Sequence, residues 1–344
     1  MGLRIRLPGN NAMRNFRIAG HAIEVFQKRS GSCMPSSVAG IVCAIAALAA
    51  AQPAYAGGYA EAVMSANPTA YFPLNDTTGV TAANAITSPV VSGTYFDGYT
   101  SGNPLTGGVA ATIQQSGTGP NLMQAGPNLP GFTAGNYSVG FVGAEQSGTS
   151  VDSLRINNSS ATFGNDYTYQ VWFRNTTSAT SQLIAGYIGG RFTASNNSEQ
   201  FGVMGNLRGA ENEGKLFAIV SGSVWYGSGS GAVVAQNTWN NVAVTRSGNT
   251  LTMYLNGTSL GSTTSTITTS TGQFFIGGAR SDGAWGLTGG LDEISLTNRA
   301  LTAAEIKASY NAALYPTVYW SGSSGIWSTG STWSTTSGSF TSAD

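Results

Sequence analysis

The chain has 344 residues, with 15 basic and 15 acidic side chains, 47 glycines, two cysteines and a single histidine, and only 9% of it is charged. Cys33, Cys43 and His21 all lie near the N-terminus, so the rest of the chain has no disulfide framework, no cysteine nucleophile, no Ser-His-Asp triad and no His- or Cys-based zinc site. Beyond residue 56 the balance is nine basic against 14 acidic residues, a net charge of −5, which leaves no electrostatic footprint for nucleic acid.

In chain order, residues 1–56 read as an extended secretory signal. Arg4, Arg6, Arg14, Arg17, Lys28 and Arg29 precede the apolar run Val38 to Ala51, and Ala54-Tyr55-Ala56 gives the small-x-small pattern of a cleavage site before Gly57. Met13 and Met34 offer further start positions. The apolar run is about 14 residues, short of the roughly 20 that a spanning helix needs, so no membrane span is expected in the mature chain. Such a long basic leader resembles those of bacterial surface and autotransporter proteins, which implies a secreted, extracellular or bacterial outer-membrane surface location.

From residue 57 the composition turns to Gly, Ser, Thr, Asn and Ala, which favours strands joined by tight turns over long helices. Strands are expected at Leu183 to Ile188, Phe201 to Met204, Lys215 to Val220 and Gly231 to Ala235. Residues 79–133 lose the strand period and read as a loop-rich insertion with one or two short edge strands. The clearest pattern starts at Trp239. Val242, Val244, Leu251, Met253 and Leu255 alternate with polar residues on either side of Ser247-Gly248-Asn249, and Asn256-Gly257 follows as a second tight turn. A strand over Leu291 to Leu296 leads into one short helix, whose start carries a capping box, Thr302 with Glu305, and a hydrophobic staple, Leu301 with Ile306.

The ordered set Trp-x-x-Val-Ala-x-Thr, Leu-x-Met-Tyr-Leu-Asn-Gly, Phe-Ile-Gly-Gly, Gly-x-Leu-Asp-Glu-Ile and Arg-Ala-Leu-Thr-x-x-Glu-Ile resembles the second half of a laminin-G-like domain of the concanavalin A-like superfamily. Residues 57–314 are accordingly expected to form an all-β, two-sheet jelly-roll sandwich with one short C-terminal helix. Residues 315–344 hold Trp320, Trp327 and Trp333 in a Ser/Gly/Thr background and resemble the opening of an autotransporter-associated β-strand repeat.

The candidate sites follow from strand parity and from the resemblance. Asp292 shares parity with Ile294 and Leu296, so alternation sends it into the core, where a bare carboxylate is costly. Laminin-G-like domains often hold structural calcium near this strand, so the resemblance implies Asp76 and Asp292 as metal ligands, with backbone oxygens completing the shell. Laminarinase-type relatives place catalytic carboxylates as Glu-x-Asp-x-x-Glu. The second glutamate is missing here, and the adjacent Asp292 and Glu293 are expected on opposite faces. Glu211 and Glu213 share parity within a glycine-flanked turn, expected to be solvated. Trp172, Trp239 and Phe275 are expected in the core, while Trp225, Tyr226 and Trp285 lie where a flat ring could stack on a sugar. The expected function is a non-enzymatic, surface-displayed module that binds a glycan or a cell-surface protein, as in an adhesin. The alternative is a structural cap or spacer for a downstream β-repeat region.

Overall fold

The computed structural model describes residues 4–6, 12–18, 21–27, 58–97, 109–110, 120–143, 152–156, 164–180, 184–194, 197–220, 222–228, 232–266, 273–278, 286–315, 319–320 and 333–334. The chain divides into two compact units, Met1–Ala54 and Tyr55–Asp344. In the first, β1 (Arg4–Arg6), β2 (Ala12–Ile18) and β3 (His21–Gln27) form a small sheet in the order β1-β3-β2. The apolar run Val38 to Ala51 and the expected cleavage site lie outside the described residues. No helix among the described residues is long and apolar enough to cross a membrane.

The second unit opens with α1 (Gly58–Ser65). Nineteen strands follow: β4 (Ala70–Phe72), β5 (Thr81–Ala82), β6 (Gly93–Asp97), β7 (Val109–Ala110), β8 (Asn121–Ala125), β9 (Tyr137–Phe141), β10 (Ser153–Ile156), β11 (Tyr167–Asn175), β12 (Ile184–Ala194), β13 (Asn197–Met204), β14 (Leu216–Val220), β15 (Ser223–Tyr226), β16 (Asn240–Ser247), β17 (Thr250–Leu255), β18 (Thr258–Thr264), β19 (Gln273–Ile276), β20 (Gly289–Thr297), β21 (Tyr319–Trp320) and β22 (Trp333–Ser334). Between β20 and β21 lies α2 (Ala303–Leu314). Among the described residues, nine strands form one sheet, β15-β14-β13-β12-β19-β10-β6-β5 with β7 beside β6. Eight form the other, β18-β17-β16-β11-β20-β9-β8 with β4 also beside β20. The fold is the expected all-β two-sheet sandwich with a short C-terminal helix.

Alternation along the strands fills the space between the sheets. Tyr169, Val171 and Phe173 from β11, Val242 and Val244 from β16, and Leu251, Met253 and Leu255 from β17 face Phe201, Val203, Leu216, Ala218, Phe274 and Ile276. One buried ion pair ties the sheets together: Arg246 Nη1 on β16 lies 2.6 Å from Glu199 Oε1 on β13, and Tyr167 and Ser265 donate to the same carboxylate. Without these donors a buried charge pair returns little of its desolvation cost. The second hairpin turn uses Asn256 and Gly257, both at positive φ, as a two-residue turn between antiparallel strands requires.

Local signals at the helix start appear as expected. Thr302 and Glu305 cap reciprocally, and Leu301 and Ile306 are both buried in one small cluster. Several other expectations fail. Among the described residues of 79–133 there are four short strands where one or two are expected, and Tyr95 of β6 is fully buried in the core. Of the expected strand Gly231 to Ala235, the described residues 232–235 form no strand; Val233 makes an isolated bridge to Lys215. The helix α1 carried no sequence signal. In the tail, the backbones of Tyr319–Trp320 and Trp333–Ser334 pair antiparallel, and Trp327 lies outside the described residues.

Candidate functional site

The strand β20 departs from simple alternation. Trp172 of β11 pairs with Asp292 and Gln170 pairs with Ser295, so Glu293 and Ile294 together oppose the single residue Val171. This is a β-bulge, and Glu293 sits in it at φ 55°, a left-handed conformation that non-glycine residues rarely adopt. The bulge falls where the neighbour on the other side of β20 changes from β9, paired at Leu291, to β4, paired from Ile294. The extra residue resets the parity. Leu291, Ile294 and Leu296 face the core, whereas Asp292, opposite Trp172, turns to the outer face. Glu293 reaches that face too, because its Oε2 accepts a hydrogen bond from the Tyr71 hydroxyl. Asp292 is therefore buried but not inside the sandwich, and it does not lie on the opposite face from Glu293.

This outer face is covered rather than open. Tyr59 of α1 stacks with Phe132, and both meet Trp172 edge-on, while Tyr310 of α2 stacks on Trp172. The backbone N–H of Tyr59 donates to Gly131 O and that of Gly131 to Ala313 O, which stitches α1, the 126–136 loop and α2 together. Beneath this cover, Asn136 Nδ2 donates to Asp292 Oδ2 at 2.6 Å and Glu293 N donates to Oδ1 at 2.9 Å. Burial, and then the Glu293 charge, push Asp292 well above the usual carboxylate range; burial pushes Glu293 up to about 8. Burial disfavours the charged form of both acids, and among the described residues neither has an ion-pair partner, so at neutral pH the pair keeps a proton.

Asp76 lies after β4. Its Oδ1 accepts from Ala83 N at 3.1 Å and its Oδ2 from Tyr95 Oη at 2.8 Å, with burial raising its pKa against these two donors. The residue before it, Asn75, accepts from Tyr137 N, next in sequence to the Asn136 that holds Asp292. The two aspartates are thus tied to adjoining backbone, and each of their four oxygens accepts from an N–H or O–H donor. Among the described residues no three His, Cys, Asp or Glu side chains converge where a metal could sit. Glu211 and Glu213 lie in or beside a 3-10 turn at Ala210–Asn212, Glu211 exposed and Glu213 bonded to Thr180.

The aromatic candidates separate. Trp225 and Tyr226 are neighbours on the edge strand β15 and point to opposite faces. Trp225 packs against the core between the sheets, and Tyr226 joins the outer face of the nine-stranded sheet with Ile184, Tyr187, Met204, Phe217 and Phe275. They cannot form one platform. Phe275, expected in the core, belongs to this outer cluster, and Arg155 stands 5.3 Å from its ring centroid and 3.9 Å from that of Phe96. Tyr226, Val224 and Ile219 are only half-buried, which leaves the β14–β15 margin of the cluster partly open. Trp285 lies outside the described residues. The signal for this cluster was available in the sequence, since Phe217 and Ile219 alternate with the core residues Leu216, Ala218 and Val220.

Residues 147–307, just under half of the chain, match a family model described as concanavalin A-like lectin/glucanases superfamily, of the laminin G type. No curated protein matches the chain. Among solved structures, the fourth domain of AbnA, a GH43 extracellular arabinanase from Geobacillus stearothermophilus in complex with arabinotriose, is similar at 16% identity and a TM-score of 0.42, over 72% of this chain and 98% of that one. Trypanosoma rangeli sialidase in complex with the inhibitor DANA is similar at 11% identity and a TM-score of 0.42, over 70% of this chain and 32% of that one. A SAP-like pentraxin from Limulus polyphemus is similar at 18% identity and a TM-score of 0.33, over 42% of this chain and 69% of that one. The chain thus spans about a third of the sialidase. The two antiparallel sheets and the family match agree on a concanavalin A-like sandwich.

Proposed function

We infer that the domain is a non-enzymatic binding module that takes a glycan at the outer face of the nine-stranded sheet. The observation that carries this is the open aromatic margin at β14–β15, where Tyr226, Val224 and Ile219 are half-buried beside the covered rings of Phe217 and Tyr187. The apolar face of a sugar ring packs on such a surface, and polar side chains at the rim fix its orientation. A lectin/glucanase family match is compatible with binding and with hydrolysis alike, and the acid pair argues against hydrolysis. A glycosidase needs two carboxylates flanking a bond it can reach, whereas Asp292 and Glu293 are 0% and 5% exposed beneath α1, α2 and the 126–136 loop.

The leader and the Trp-rich tail suggest display at a bacterial surface as part of an adhesin or autotransporter-like protein. A purely structural unit is the second reading, and the antiparallel pairing of Tyr319–Trp320 with Trp333–Ser334 after α2 favours it, because the tail itself carries β-structure. Screening the full chain against immobilised polysaccharides, with reducing ends measured in the same wells, separates the readings. Retention without new reducing ends is expected. Release of new reducing ends would overturn the non-enzymatic reading, and retention by no glycan would favour the structural unit.

A further inference from the structure

The nine-stranded sheet ends in an unguarded edge. β15 is its terminal strand, and the pairing of β14 with β15 runs without a register shift from Phe217–Tyr226 to Val220–Ser223. One position further along this register, Gly227 N donates to Leu216 O at 3.0 Å, which marks that pair as hydrogen-bonded. Opposed pairs in an antiparallel ladder alternate, so Ser223 and Trp225 bond inward to β14, while the N–H and C=O of Val224 and Tyr226 point away from the sheet. Among the described residues no hydrogen bond reaches those outward groups. Ser228, the next residue of the same parity, donates its N–H to Leu260 O.

Natural sheet edges are shielded from further pairing by charge, proline or a bulge. The edges of the eight-stranded sheet carry such shields: β8 is bulged between Asn121 and Gln124, and β18 is bulged opposite Met253, with Ser228 bonded to its Leu260 O. β15 has none of them. It reads Ser-Val-Trp-Tyr between Gly222 and Gly227, and Val224, Trp225 and Tyr226 are only half-buried. Its outward groups are also self-complementary. Turned antiparallel about a two-fold axis at Trp225, a second β15 sets Val224 opposite Tyr226 of the second copy, and Tyr226 opposite Val224, each pair exchanging both N–H···O bonds. Those pairs join a β-branched and an aromatic side chain, a favourable cross-strand combination, and no like charges meet.

We propose that β15 is a dimerisation edge, on which a second copy of this chain adds its own β15 and joins the two nine-stranded sheets about a two-fold axis. This does not rest on the glycan reading, since it uses the backbone edge rather than the sheet face. Sedimentation velocity of the full chain without glycan, over a series up to high micromolar concentration, tests it. A monomer–dimer equilibrium is expected. Val224→Pro removes an outward N–H without touching the β14 ladder, and is expected to weaken dimerisation at least tenfold. If that variant fails to fold, cysteines read the register instead. Across the axis the Cα atoms of the two Trp225 residues stand about 4.5 Å apart, within reach of a disulfide. In a chain carrying Cys33→Ser and Cys43→Ser, Trp225→Cys is therefore expected to give a disulfide-linked dimer on mild oxidation. Ser223→Cys is expected to stay unlinked, because the axis sets it opposite Gly227 of the second copy. A chain that stays monomeric throughout the series, a dimer unweakened by Val224→Pro, or linkage through Ser223→Cys as ready as through Trp225→Cys would each overturn the proposal.

Discussion

Glu293 combines two unfavourable features: a left-handed backbone, costing roughly 1–3 kcal/mol, and a buried acid. The surrounding contacts over-determine its position, since β4 and β9 pair with β20 on either side of the bulge and Tyr71 holds the carboxyl. Its pKa, raised by burial from 4.5 to about 8, fixes the sign of a stability change. The folded state binds more protons than the unfolded state between those values, so stability is full below about pH 4.5 and falls as pH rises toward 8. Asp292 shifts in the same direction. Glu293→Gln keeps an acceptor for Tyr71 without the charge. Thermal melts at pH 8 are expected to show the variant several degrees more stable than the parent, at ~2–4 °C per kcal/mol, with the difference vanishing at pH 4. Parity counting alone missed this pair because one inserted residue inverts every later position in the strand, and the insertion depends on which strand lies alongside, a non-local fact.

Elements with local signals were the legible ones. The Asn256-Gly257 turn and the Thr302–Glu305 cap each depend on a few consecutive residues, and both form as their chemistry dictates. The cap is reinforced by Arg299, whose ion pair with Glu305, followed by the Thr302 backbone donor, holds the Glu305 carboxyl at about 2. This contribution is present above pH 4.5 and is lost as pH falls through 2. Thr302→Ala removes the side-chain cap and is expected to cost about 1 kcal/mol by chemical denaturation, with an unchanged m-value. An unchanged midpoint would mean that α2 is held by burial of Ile306 and Ala313 alone. By contrast α1 was illegible. Its eight residues lack a sequence-level cap, and it is held by Tyr59 entering a cluster made with Phe132, Trp172 and Ala313, residues between 70 and 255 positions away. The expected strand Gly231 to Ala235 failed the other way: its apolar alternation suggests a strand, but among the described residues 232–235 only Val233 finds a bridge partner.

At the scale of the whole molecule, the two-sheet sandwich was readable because half-buried strands alternate in sequence and the tight turns between them carry glycine and asparagine. Which outer face would be covered was not readable, since the cover is assembled from α1, α2 and a loop far apart in the chain. That distinction carries the functional argument. The eight-stranded sheet hides its carboxylates beneath the cover, and the nine-stranded sheet leaves an aromatic margin open at Tyr226. The most direct measurement is affinity electrophoresis of the full chain and its Tyr226→Ala variant through gels containing a retained polysaccharide. Binding at least tenfold weaker in the variant, with an unchanged melting temperature, is the predicted result. Equal retardation of the two proteins would contradict the account.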